Sequence, residues 1–127
     1  MTQSSPAPRS VSVLVIEDDF DIRQTICEVL EAEGLSVATA ENGADALRVL
    51  TKVRPGLILL DLNMPIMSGS EFREAQSRDP VLREIPTVVL SAVDRMNERL
   101  AELSPHAAFR KPIKLPELVS VVKRYTA

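Results

Sequence analysis

The run Gly56-Leu57-Ile58-Leu59-Leu60 is apolar without alternation, and it stops at Asp61. A strand exposed on one side alternates apolar and polar residues, whereas a strand covered on both faces does not; such strands are central members of parallel sheets. Turn formers follow at Asn63-Met64-Pro65 and Ser68-Gly69. In an open parallel sheet, ligands bind outside the carboxyl ends of the strands. Asp61 thus ends a stiff element at the edge where such folds do chemistry, and it is a candidate nucleophile.

The rest of the chain supplies the partners such a strand needs. Strand-like runs at 11–16, 35–40, 57–60, 87–90 and 107–110 alternate with helix-like runs. In the first helical run Ile22, Ile26, Val29 and Leu30 recur at helical spacing, and Gly34 is the expected stop. Asn42 is an expected N-cap for a second helix that uses Ala46, Leu47, Leu50 and Val53 and ends at Pro55-Gly56. A third, weaker helix over 70–77 turns Phe72 and Ala75 inward. A fourth over 94–103 has a narrow stripe of Met96, Leu100 and Leu103. A fifth has Pro116 near its first turn and a stripe of Leu118, Val119, Val122 and Tyr125. Strict alternation with short connections predicts an α/β fold: a doubly wound, five-stranded parallel sheet with helices on both faces. The 127 residues fit one domain, expected over 11–127, preceded by a disordered polar tail over 1–10 that lacks the apolar segment of a signal peptide.

Carboxylates collect at the strand ends. Glu17-Asp18-Asp19 follows the first strand; one of them is expected to cap the first helix, the others to face its dipole. In a doubly wound sheet the first and third strands are neighbours at the switch point, so these groups converge on Asp61. Like charges gathered in one pocket raise a pKa or require a cation. Few, hard oxygen ligands beside water suit Mg²⁺, with Asp18 and Asp61 as direct ligands and Glu17 acting through water. Ser91 ends the fourth strand and Lys111, before Pro112, follows the fifth, placing a hydroxyl and an ammonium on the same edge. A metal pocket, a carboxylate nucleophile, a hydroxyl donor and a lysine suit phosphoryl transfer.

The motifs Val-Ile-Glu-Asp-Asp at 15–19, Leu-Asp-Leu-Asn-Met-Pro at 60–65, Leu-Ser-Ala at 90–92 and Lys-Pro at 111–112 together resemble the receiver domain of two-component response regulators, the chemotaxis-regulator-like, flavodoxin-like (βα)5 fold. The resemblance covers Val11 to Tyr125. It implies a strand order of 2-1-3-4-5 and a regulatory phosphoacceptor domain, not an enzyme. In it Asp61 takes a phosphoryl group from a histidine kinase or a small acyl phosphate with Mg²⁺ present. It further implies that Glu17 and Asp18 form the metal pocket and that the Asn63 carbonyl is a ligand. Ser91 would hydrogen-bond the phosphoryl group, Lys111 would pair with it, and the Lys111-Pro112 bond would be cis. One departure stands out: the aromatic usual three residues before the lysine is here Ala108, and the adjacent Phe109 belongs to the opposite strand face. Output is then expected through backbone or helix movement. Val93, two residues after Ser91, cannot orient water and predicts slow self-dephosphorylation.

The expected partners are a sensor histidine kinase or histidine phosphotransfer protein and a downstream protein target; monomer and phosphorylation-dependent dimer both stay open. A net charge of −3 without a basic stripe argues against direct nucleic-acid binding, although Arg95, Arg99, Arg110, Lys114, Lys123 and Arg124 make the C-terminal third comparatively basic. The absence of an apolar membrane span and the single cysteine, Cys27, lead us to expect a cytoplasmic protein with Cys27 in packing. His106 is read as a surface residue. The alternative function is a non-phosphorylated protein–protein module of the same fold. An aspartate-dependent phosphatase would need Asp-x-Asp after the first strand, and a flavin carrier more aromatic residues than the 3% present.

Overall fold

The computed structural model describes residues 8–61, 69–91, 107–110 and 114–126, with the backbone alone at 69–70, 91 and 107–110. Five parallel strands, β1 (Arg9–Ile16), β2 (Val37–Ala40), β3 (Val53–Asp61), β4 (Thr87–Ser91) and β5 (Ala107–Arg110), form one sheet in the order β2-β1-β3-β4-β5. Helices α1 (Phe20–Ala32), α2 (Gly43–Val49), α3 (Gly69–Arg78) and a C-terminal helix (Leu115–Thr126) flank it. The expected fourth helix over 94–103 lies outside the described residues.

The unbroken apolar runs behave as two-faced strands. Leu14, Ile16, Ile58 and Leu60 pack with Ala46, Leu50 and Phe72 on the side of α2 and α3. Their neighbours Val13, Val15, Leu57 and Leu59 pack on the other side with Ile26 and Leu30 of α1 and with Leu118 and Val122 of the C-terminal helix. Period-2 alternation therefore feeds two cores from the same strands.

Several boundaries differ from the sequence reading. β1 starts at Arg9, not Val11, because Arg9 and Ser10 continue the pairing with Val53 and Arg54; two residues assigned to the tail belong to the sheet. Leu35 is not in β2, since its N–H still donates to the Leu30 carbonyl at the end of α1. Gly34 does stop that helix, with a left-handed φ of 83° that a side chain disfavours. Pro55-Gly56 does not end α2. That helix is capped at Leu50, and Val53 and Pro55 are strand residues. Pairing of β3 with β4 begins only at Ile58, so Pro55 sits where β3 has β1 alone as neighbour, and its missing N–H is tolerated. In α3, Phe72 is buried as expected, but its inward companion is Gln76 rather than the half-buried Ala75.

Gln76 ties the amino side of β4 together. Its amide nitrogen donates to the carbonyls of Leu82 and Ile85 at 2.9 and 3.2 Å, and its oxygen accepts from Thr87 Oγ1 and Arg73 Nη1. A buried glutamine is stable only when its amide is satisfied in this way.

Candidate functional site

The connection between β1 and α1 is two residues of strand end and one cap. The Glu17 N–H donates to the Ala40 carbonyl, extending the β1–β2 ladder by one residue. Asp19 then caps α1, its Oδ1 accepting the Ile22 N–H at 3.0 Å. This is the capping role expected for one member of the acidic run, and it leaves Glu17 and Asp18 at the positive end of the helix dipole. β3 pairs with β1 up to Ile16↔Leu60, so Asp61 is level with Glu17 on the adjoining strand.

These three carboxylates meet: one oxygen from each of Glu17, Asp18 and Asp61 lies within 4.8 Å of the others. Glu17 and Asp61 are buried, at 2% and 1% exposure, while Asp18 faces water. Burial of two acidic residues beside a third is costly unless their charge is compensated. An octahedral Mg²⁺ with ligands near 2.1 Å spans roughly 4 Å between opposite oxygens. A cluster of this size fits that ion if one carboxylate acts through water, as expected for Glu17. The donor set is entirely hard oxygen with one side open to solvent, which again suits Mg²⁺ rather than a softer metal.

Arg23 is a neighbour that the sequence did not reveal. Its Nη1 donates to the Glu17 carbonyl at 2.7 Å, and its guanidinium lies 5.5 Å from the Phe20 ring centroid. It thus fixes the main chain of the acidic loop from the first turn of α1. The available signal was the i, i+3 spacing of Phe20 and Arg23 beside the acidic run, which is common on ordinary helix surfaces.

Ser91 is the last residue of β4, one beyond Leu90, which pairs with Asp61; it pairs in turn with Arg110, the last residue of β5. The backbone therefore brings the ends of β1, β3, β4 and β5 to one edge. Ala108 and Phe109 pair with Val89 and Leu90. Asn63, Val93, His106, Lys111 and the Lys111-Pro112 bond lie outside the described residues. Cys27 is buried in α1, and its thiol is pushed up first by burial and then by Glu31, which suits packing rather than nucleophilic chemistry. No helix of the described residues is long and apolar enough to cross a membrane.

Doubly wound sheet and acidic cluster together define a receiver-type signalling domain. The response regulator receiver domain family matches residues 13–123, and the chain belongs to it, a family of phosphorylation-dependent switches in two-component signalling. The chain is 40% identical over 117 residues to the transcriptional regulatory protein PrrA of Mycobacterium tuberculosis, covering 90% of this chain and 49% of that protein. It is 34% identical over 114 residues to sporulation initiation phosphotransferase F of Bacillus subtilis, covering 89% of this chain and 91% of that one. Among solved structures it is similar to the response regulator TrrA of Thermotoga maritima in complex with Mg²⁺-BeF, with a TM-score of 0.78 and 27% identity over 92% of this chain and 98% of that one. The chain spans about half the length of the first curated relatives it matches.

Proposed function

We propose that Asp61 is the phosphoacceptor of a two-component or phosphorelay switch. The observation that carries this is the meeting of Glu17, Asp18 and Asp61 oxygens within 4.8 Å at the carboxyl edge of the sheet. An Asp61 oxygen attacks phosphorus, forming an acyl phosphate bond. The bond from phosphorus to the donor breaks, its electron pair leaving on an imidazole nitrogen of a histidine kinase or phosphotransfer protein, or on the oxygen of a small acyl phosphate. Asp18 and Asp61 would hold Mg²⁺ directly, Glu17 through water, and the Asn63 carbonyl would complete the protein ligands. When bound, that ion neutralises charge on the transferring oxygens. Ser91 would donate to the phosphoryl group and Lys111 would pair with it.

The chain's catalytic part is confined to its own modification and slow release of phosphate, because Val93 offers no hydrogen bond to water. Signal output reaches a protein target, and with Ala108 in β5 it runs through backbone or helix movement rather than a swinging ring. The compartment is the cytoplasm, where kinase partners present their phosphohistidine. Incubation of parent and Asp61→Asn with Mg²⁺ and acetyl phosphate, read by intact-mass spectrometry, tests the assignment. A phosphoryl adduct on the parent and none on the variant is expected; an adduct on both, or on neither, removes Asp61 from this role.

A further inference from the structure

Asp18 is the exposed member of the acidic triad, whereas Glu17 and Asp61 are buried. Packing holds a buried carboxylate in place, but an exposed one points where its main chain and its rotamer send it. One residue grips the main chain on both sides of Asp18. Arg23 Nη1 donates to the Glu17 carbonyl at 2.7 Å, and the Arg23 N–H donates to the Asp19 carbonyl at 2.9 Å as the first helical bond of α1. The Glu17 N–H is held in turn by the Ala40 carbonyl at 3.1 Å, so both backbone groups of Glu17 are anchored, one to β2 and one to α1. The guanidinium is itself braced, 5.5 Å from the centroid of a Phe20 ring that is otherwise 64% exposed.

The identity of the acceptor matters. A guanidinium bonded to a ligand carboxylate competes with a cation for it, whereas the bond to the Glu17 carbonyl occupies no carboxylate oxygen. We infer that Arg23 is a positioning residue of the cation pocket: by holding the carbonyls of Glu17 and Asp19 it aims the Asp18 carboxylate at the ion shared with Asp61. This rests on the reading of the triad as a Mg²⁺ pocket.

Positioning and charge pull in opposite directions at this residue. A guanidinium hydrogen-bonded to a member of the triad repels a divalent cation, so electrostatics alone predicts tighter Mg²⁺ binding once that charge is removed. Positioning predicts the reverse, because outer partners that orient metal ligands typically carry roughly 10- to 100-fold in affinity.

The decisive measurement is a MgCl₂ titration of the ¹⁵N-labelled full chain at constant ionic strength, followed by the amide shifts of Asp18 and Asp19. Arg23→Met keeps an unbranched stem and removes donor and charge together; it should bind Mg²⁺ roughly tenfold more weakly than the parent. Arg23→Lys returns a charged donor to the carbonyl and should recover most of that loss. Phe20→Ala, at an exposed position, removes only the brace and should weaken Mg²⁺ roughly twofold. Saturable shifts in the parent with unchanged or tighter binding by a folded Arg23→Met protein overturn the role of Arg23 and leave Asp61 as phosphoacceptor. A loss in Arg23→Lys as large as in Arg23→Met overturns it equally. Should Arg23→Met not fold, unchanged Mg²⁺ affinity in Phe20→Ala has the same force. An absence of saturable shifts in the parent removes the Mg²⁺ pocket itself, and the positioning role with it.

Discussion

At the carboxyl end of β3, Asp61 is buried beside Glu17 and close to Asp18, so like charges are held together by stiff elements. At its amino end the neighbourhood is knitted by complementary hydrogen bonds. Gln76 satisfies the carbonyls of Leu82 and Ile85, Asp79 caps the turn that contains Leu82, and the Ser12 and Ser36 side chains each accept the other's N–H. The same strand thus carries clustered carboxylates at one end and, at the other, a hydrogen-bonded network in which Arg54 Nη1 is a buried nitrogen without a partner among the described residues.

Exchanging the insult between the two ends should give opposite results, and this is the largest effect expected. Asp61→Asn should lose all phosphoryl incorporation from acetyl phosphate while unfolding within about 1 kcal/mol of the parent in urea. Gln76→Ala should keep incorporation but lose about 2–3 kcal/mol, because the buried carbonyls of Leu82 and Ile85 lose their donor. If Gln76→Ala abolishes phosphorylation in a protein that is still folded, the two ends are coupled and the contrast fails.

A smaller effect isolates the charge at the carboxyl end. Binding of Mg²⁺ to the native state alone stabilises by about 1.4 kcal/mol when free ion is ~10 times its Kd. Thermal unfolding of the parent should shift upward with MgCl₂ and not with an equal ionic strength of NaCl. Asp18→Asn should shrink that shift, whereas Asp79→Ser at the other end should leave it intact. Equal responses to the two salts would mean that screening, rather than coordination, relieves the triad.

The sequence disclosed these two ends unequally. Asp61, Glu17 and Asp18 were legible because strand ends are fixed by apolar runs, and the parallel topology alone decides which ends share an edge. Asn42 as a cap and Gly34 as a stop were legible for a similar reason, since each acts through its own local backbone. Pro55-Gly56 misled because its effect depends on where β4 begins, which is a property of register and not of the dipeptide. Gln76 and Arg54 were invisible: a glutamine on a weakly amphipathic helix and an arginine near a strand start are ordinary surface residues until tertiary packing buries them. The dissent between local pattern and outcome is thus concentrated at the amino edge, where side-chain hydrogen bonds between distant segments do the fixing.

The smallest effect expected concerns acid. The N–H groups of Leu82 and Val81 hold the Asp79 carboxyl below its usual range. A carboxylate depressed in the folded state contributes stability that is present above its unfolded pKa, near 3.9, and is lost as pH falls through the folded value. Serine at this position keeps an acceptor for the cap but cannot titrate. Asp79→Ser should therefore unfold at a lower urea concentration than the parent at pH 6, and the gap should close as the pH is taken below about 4. Asp45, whose carboxyl is lowered first by its hydrogen bond from Arg48, adds a similar acid dependence to both proteins and cancels in the difference. A gap that stays constant down to acid would show that the cap at the amino edge works through its shape alone, with no contribution from its charge.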